Sequence, residues 1–446
     1  MRYKRWSAVG LAAFLGVTTA SRAEDSSSYL TDNSPSTGRV EAPLSAPVEA
    51  SLGRPQEAVS SQASAGEAKV ESCSGGGTSF GPAAPEDVEL LLDTPLGCRL
   101  KHNDLRMYGW LDMGYTFSSS GPGLMTVEPR ENRFGNEFLV NQLALVLEKP
   151  LKQDDFSWGF NATFYSGADA ALLQPLGGID FQPGDDRFSA DFRQLYVSAH
   201  LPVLTEGGVD LKVGRMGTII GYESALAPYR PFYSNDYQWF YSQDGAWTGF
   251  LTNWHVTPQL EILNGMTYGA NTFFTKREDV CYIGQINYWL SEEKKTMLTG
   301  SVHVGDQAIF AAPGLAGDMD TVLELRVQHE WNECFTQVIQ SNNGWDRNVP
   351  GIGTGSWYSL YTIMIFHLDT EWDFNVRAEW FDDVDGTRTG FDTNYEEITV
   401  GFDYHPTKCL SIRPEIRGDF SNNTAAFNNG SDHEQLTLAV DVLWKF

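Results

Sequence analysis

Beyond its first twenty-three residues the chain has no run of eighteen consecutive apolar residues, which excludes a helical membrane span. Basic residues are scarce: 31 Lys and Arg stand against 58 Asp and Glu, a formal net charge of −27. A phosphate backbone needs a basic surface, so nucleic acid is excluded as a partner. Cysteine is sparse too. Cys73, Cys98, Cys281, Cys334 and Cys409 match no metal spacing. Cys73 and Cys98 are able to pair in an oxidising compartment; the other three fall at predicted strand ends, and no disulfide framework is expected of them. His200, His303, His329, His367 and His405 are spread over separate predicted strands, with no His-x₃-His or Cys-x₂-Cys pair. No nucleophile elbow joins a strand to a helix; Tyr165-Ser166-Gly167 ends a strand without the pattern. Neither an enzyme nor a bound metal or cofactor is expected.

What is abundant is aromatic: 13 Trp, 18 Tyr and 26 Phe, in a chain of negative mean hydropathy. Rings in such number fill a soluble core or form the interfacial girdles of a membrane barrel. The final stretch, Glu434 to Phe446, decides between them. Leu436, Leu438, Val440, Val442, Trp444 and Phe446 share one parity; Thr437, Ala439, Asp441, Leu443 and Lys445 share the other. Six apolar residues on one face of a strand suit a bilayer crossing better than a half-buried soluble strand.

The same period of two runs from Leu105 onward. Phe156, Trp158, Phe160, Ala162 and Phe164 oppose Ser157, Gly159, Asn161, Thr163 and Tyr165, a division that suits lipid on one side and water on the other. Sixteen strands are predicted, the last pair being Leu410–Phe420 and the terminal stretch. The connections alternate between short turns, such as Asn332–Glu333 and Pro406–Thr407, and long loops, such as Met216–Trp247 and Asn342–Ser356. The expected fold is therefore all-β: a transmembrane antiparallel β-barrel of about 16 strands over residues 101–446. With an even strand number and short periplasmic turns, both termini are expected in the periplasm.

The N-terminus reads as an address. Arg2, Lys4 and Arg5 precede the apolar run Ala8 to Val17, and Ser21-Arg22-Ala23 supplies a cleavage site, so residues 1–23 are expected to be a signal peptide. Residues 24–100 are rich in Ser, Ala, Gly, Pro and Glu and are expected to be a disordered periplasmic leader. Within it, Pro85-Glu86-Asp87 ahead of Val88-Glu89-Leu90-Leu91-Leu92 suits one short helix, serving as part of a linker, or as a tether or plug.

The residues now in view resemble a known family. Gly214-Arg215 followed by Gly221-Tyr222-Glu223, then Pro231-Phe232-Tyr233-Ser234-Asn235, and late in the chain Arg413-Pro414-Glu415-Ile416-Arg417-Gly418-Asp419, resemble the OmpL-like β-barrel porins over about Met107 to Phe446. The resemblance implies a porin barrel in the outer membrane more firmly than it implies a solute. A last strand ending in Phe is likewise similar to the C-terminal signature of outer-membrane barrels. By that similarity Phe446 is the signal read by the barrel-assembly machinery.

Charges within the strands mark candidate pore-lining positions. Asp373, Arg377 and Glu379 oppose Trp372, Phe374, Val376 and Trp380; Arg413, Glu415, Arg417 and Asp419 oppose Ile412, Ile416 and Phe420. An arginine on the lipid face near mid-bilayer costs about 2–4 kcal/mol, so these ladders must face the lumen. Glu324, Arg326, Asp403 and Asp441 join them, together with Glu397. They read either as a charged wall that sorts ions or as plain solvation of a lumen. Met216–Trp247, the third long loop, holds Tyr222, Glu223, Tyr229, Arg230, Tyr233, Asn235, Asp236, Tyr237 and Trp239. In general porins the third loop folds inward, and by that similarity this one is the constriction; the other reading is an ordinary surface loop. Its rings are of a kind that stacks on sugars. Pro414 breaks one ladder hydrogen bond, for which a nearby bulge is the expected remedy.

The expected function is a passive porin for small hydrophilic solutes and ions with a mild cation preference, partnered by the bilayer of the outer membrane. A sugar-selective channel and, from another class, a secreted β-rich binding protein or adhesin are the alternatives. Assembly into a homo-oligomer is left open.

Overall fold

Alternating inward and outward side chains need a sheet with no free edge if the strands are to cross lipid. The computed structural model supplies one. It describes residues 82–88, 94–124, 133–174, 187–243, 245–269, 272–273, 280–305, 312 and 314–446. Sixteen strands close into one antiparallel barrel, each pairing with its neighbours in sequence order. They are β1 (Arg106–Ser118), β4 (Glu137–Lys149), β5 (Ser157–Gly167), β6 (Ser189–Leu201), β7 (Val209–Met216), β8 (Trp247–Thr257), β9 (Leu260–Tyr268), β10 (Val280–Trp289), β11 (Thr296–Gly305), β12 (Met319–Asn332), β13 (Phe335–Val349), β14 (Gly353–His367), β15 (Trp372–Asp383), β16 (Thr393–Thr407), β17 (Leu410–Ser421) and β18 (Glu434–Lys445). A separate hairpin, β2 (Gly123–Leu124) with β3 (Phe134–Gly135), sits in the first long loop. The described residues also form three short α-helices: α1 (Pro95–His102), α2 (Ala168–Leu172) and α3 (Tyr237–Tyr241).

Closure joins the first strand to the last. β1 pairs with β18 from Trp110↔Lys445 to Ser118↔Thr437. The terminal residue extends the seam: Gly109 N donates to Phe446 O at 2.8 Å, and Phe446 N donates to Gly109 O at 2.9 Å. The Phe446 ring lies over Gly109, where an added Cβ would stand 2.7 Å from it and collide with Ala144 O. The seam therefore needs glycine at this position.

The outer face carries two rows of exposed rings: Tyr115, Phe117, Phe138, Tyr268, Tyr282 and Phe420 near the long-loop end, and Phe156, Trp158, Tyr288, Trp331, Trp372 and Trp444 near the short-turn end. Leu325, Leu360 and Leu438 lie exposed between them. This is the apolar band with aromatic girdles of a membrane barrel.

Three details depart from the sequence-based expectations. First, Asn342–Ser356 is not a long loop: β13 runs on to Val349 and β14 begins at Gly353, leaving a tight turn between. The pattern hid this because Trp345 pairs with Ser356 above the apolar band, where alternation no longer needs apolar residues. Second, no bulge accompanies Pro414. The β16–β17 ladder skips the pairs between Gly401↔Glu415 and Tyr404↔Ile412 without changing register, and the irregularity falls between Tyr404 and Thr407. Third, Cys334 is disulfide-bonded, with a partner outside the described side chains, while Cys281 and Cys409 are present as thiols.

Within the expected leader, residues 1–81 and 89–93 lie outside the described residues, including the signal peptide and the run Glu89 to Leu92. What is described is a 3-10 turn, Pro85–Asp87, and α1. Thr94 caps α1, accepting from Gly97 N at 3.1 Å.

Replacing Gly109 with valine forces the Phe446 ring off the seam, at a cost of about 1–3 kcal/mol for overpacking. The expected result is a smaller folded fraction and a lower unfolding midpoint, read from the mobility of heated and unheated protein on a gel.

Candidate functional site

The wall comes first. Glu324, Arg326, Asp373, Arg377, Glu379, Asp403, Arg413, Glu415, Arg417, Asp419 and Asp441 all lie on the inward parity of their strands, and so does Glu397. The lipid-cost argument thus places their face. The expectation of a bare wall in water does not hold, because every one of these side chains is buried. Most are covered by the loop between β7 and β8, residues 217–246, which turns into the barrel.

The wall holds this loop by its backbone. Arg377 is the central contact. Its Nη1 donates to Glu223 Oε1 at 2.6 Å and to Ser234 O at 2.9 Å; its Nη2 donates to Ser234 Oγ at 3.1 Å; its Nε donates to Glu397 Oε2 at 3.2 Å. Its guanidinium also lies over the Phe232 ring. Arg413 forks onto Asp441 and donates from Nη1 to Ala227 O and Arg230 O, each at 2.8 Å. Arg417 donates to Asn235 O at 2.6 Å and pairs with Asp419. The carboxylates take the complementary part. Glu415 accepts from Tyr233 N and Ser234 N, and Glu379 accepts from Tyr237 N at 2.6 Å and Gln238 N at 2.8 Å, at the start of α3. Asp419 accepts from the Tyr237 hydroxyl at 2.8 Å. Farther round, Glu324 accepts from Gly221 N at 3.1 Å while Arg326 donates to Gly221 O.

Within the loop, Glu223 accepts from Asp236 N at 2.9 Å, and Asp236 accepts from Trp239 N at 2.5 Å as the N-cap of α3. Burial, with Glu223 and Glu379 beside it, pushes the Asp236 carboxyl well above the usual carboxylate range. Arg230 reaches Asp112 at 3.3 Å and Asp169 at 3.7 Å. Tyr222 N donates to Gln340 Oε1 at 2.9 Å. The loop therefore has polar anchors on β1, β12, β13, β15 and β17. Its apolar residues Ile219 and Ile220 add packing against Leu251 and Ile283 on β8 and β10.

Asp373 and Asp403 stand apart from this grouping. They pair across β15–β16 near the short-turn end, where Asp373 meets His367 and Asp403 lies beside His405. The sugar-stacking expectation also changes: Tyr233, Tyr237 and Trp239 are buried against protein, Tyr222 is half-buried, and Tyr229 keeps an exposed face, at 38 %.

Some of the site was not foreseen. Gln142 ties β4, loop and helix together: it donates to Asp169 Oδ2 and Ala225 O, each at 2.6 Å, and accepts from Trp110 Nε1 and Ala227 N. Only its inward parity could have flagged it. Gly114 leaves room for the Tyr233 ring, which a Cβ there would approach to 2.5 Å; the Tyr233 hydroxyl donates to Asn141 at 2.9 Å. On the opposite wall, inward residues toward the short-turn end stay partly exposed: Tyr196, Lys212, Asn253, Glu261, Asn287 and Gln328.

A closed sixteen-strand barrel with an apolar outer band, a polar interior and an inward third long loop defines a membrane channel of the outer-membrane barrel class. The chain belongs to the family described as putative beta-barrel porin-2, OmpL-like, which it matches over residues 104–446. Family and fold together point to the outer membrane, and to a channel rather than an enzyme. Solved structures share the fold at low identity. The outer membrane channel DcaP of Acinetobacter baumannii aligns with TM-score 0.52 and 10% identity over 77% of this chain and 97% of that one. OprB of Pseudomonas putida aligns with TM-score 0.53 and 10% identity over 79% and 96%, and OmpT of Vibrio cholerae with TM-score 0.51 and 9% identity over 77% and 97%. No curated protein matches the sequence.

Replacing Arg377 with alanine leaves Glu223 buried without its cation and Glu397 with Arg417 at 3.9 Å, at a cost of about 3–5 kcal/mol. The barrel is expected to persist while residues 217–246 become cleavable by chymotrypsin at Tyr222, Tyr229 or Tyr233, seen by peptide mapping; a loop as resistant as the wild type would contradict this role.

Proposed function

We propose that the chain is a passive channel for small hydrophilic solutes and ions, with residues 217–246 setting its size limit. The reading takes the signal peptide and the periplasmic position of both termini from the sequence, and Phe446 as the residue offered to the assembly machinery. The observation that carries it is the asymmetry of the interior. The ladders of β15–β18, Asp373 and Asp403 apart, are consumed in holding the loop, while Tyr196, Lys212, Asn253, Glu261, Asn287 and Gln328 across the lumen keep faces that water can reach. Solutes pass along that second wall. The ladders give the route its shape, and the charges that solutes meet lie elsewhere. The sugar-selective reading loses most of its support, because three of the five rings proposed for stacking, Tyr233, Tyr237 and Trp239, are covered.

Two measurements test this. In a planar bilayer under a salt gradient, the purified protein should give steady current steps smaller than those of an unobstructed sixteen-strand pore. Glu261→Lys should move the reversal potential toward anions and Lys212→Glu toward cations. Silence from the folded protein and also from a folded barrel lacking the N-terminal leader sinks the channel reading, and an unmoved reversal potential sinks the assigned route.

A further inference from the structure

We propose that residues 82–88 form a plug in the short-turn mouth of the lumen, seated between the strand wall and the inner loop, and that full conduction requires them to leave. This rests on the channel reading above and adds its regulation.

Four observations place the segment there. Lys445 lies on the inward parity of β18, opposite Trp110, and is fully buried. An ammonium in an open aqueous mouth would stay hydrated, whereas this one donates to Ala83 O at 2.7 Å. Ala84 and Val88 are buried, at 3 % and 5 % exposure, so the segment is packed rather than trailing in solvent. The Tyr229 hydroxyl donates to Glu86 Oε2 at 2.8 Å. Tyr229 lies between Ala227 and Arg230, the two residues whose carbonyls rest on Arg413, so the segment meets the inner loop end to end.

The manner of attachment distinguishes a plug from a fixed part of the wall. The inner loop is held by charge-assisted bonds from several buried arginines and carboxylates, which are the strong ones. Among the described residues, 82–88 have two such bonds, from Lys445 and to Glu86, and otherwise rest on the buried Ala84, Pro85 and Val88. Pro85 stiffens the segment by opening a 3-10 turn that Val88 N closes onto Pro85 O at 3.2 Å. The return path is short. Thr94 and α1 follow six positions after Val88, and Lys152 holds Asp104 at the rim at 2.7 Å. A segment tethered so closely stays at high effective concentration after release and re-enters readily.

The test compares three forms in bilayers: the wild type, the full chain with Glu86→Cys and Tyr229→Cys, and a chain lacking residues 82–88. Oxidation of the double variant should cross-link the two introduced cysteines, verified by peptide mass mapping. The locked form should show an open probability at least about fivefold below that of its reduced form, the usual scale of coupling between two states. The deleted form should conduct more than the wild type. Wild type carried through the same oxidation and reduction controls for Cys334. Failure of the cross-link to form overturns the placement. Equal currents from locked, reduced and deleted forms overturn the plug and leave the channel reading standing. Silence from every form, the deletion included, in protein that runs as a folded barrel, overturns the channel reading and this inference with it.

Discussion

Arg377 cannot shed its charge at any ordinary pH, and it is wholly buried inside the barrel. Everything around it answers that constraint. A charge out of reach of water is tolerated only when it is paired and its donors are met. Glu223, Glu397 and Ser234 meet them, and two of these three residues belong to the inner loop. The wall is therefore complete only with the loop in place. The same holds for Arg413, Arg417, Glu379 and Glu415, each of which hydrogen-bonds loop backbone. Because the partners are mostly main-chain groups, the ladders specify the path of the loop more than its side chains.

Shape follows from the same requirement. A loop drawn this close to a wall needs space. Gly114 yields to the Tyr233 ring, and Gly221, at φ +95°, takes a turn that no other residue makes easily. A side chain there would run into Gln243. Within the loop, Tyr237 stacks with Tyr241 and Phe381 and meets Tyr395, with Phe427 of the last long loop against Tyr395. Rings that would suit a sugar in an open vestibule serve here as packing. What remains for solutes is the far wall, while the N-terminal segment meets Lys445 of β18 and Tyr229 of the inner loop.

The barrel was legible in the sequence almost strand by strand, because lipid outside and polar groups inside impose a period of two that nothing else in the chain imitates. Trp158, Phe160 and Phe164 against Asn161 and Thr163 could be sorted without coordinates, and so could the inward parity of Arg377 and Arg413. The same reasoning stopped where its cause stopped. Beyond the apolar band the alternation no longer has to be apolar, so Trp345 to Ser356 looked like loop and is mostly strand. Pro414 announced a missing ladder bond, yet how the ladder absorbs it is a matter of local backbone geometry.

Within the lumen the division is sharper. The sequence by itself determined which side chains face inward, since the cost of an arginine in lipid depends only on its own strand. It determined the location of the third long loop by counting strands. Whether a buried carboxylate meets water, an arginine or a loop amide depends on which distant segments are brought beside it, as Glu415 is brought to Tyr233 and Lys445 to Ala83. Gln142, which joins Trp110, Asp169 and the loop, has no signature of its own in the chain. Such contacts join residues far apart in sequence, and no local period encodes them, so the tertiary structure alone decided that the charged wall is a seat for the loop rather than an open surface.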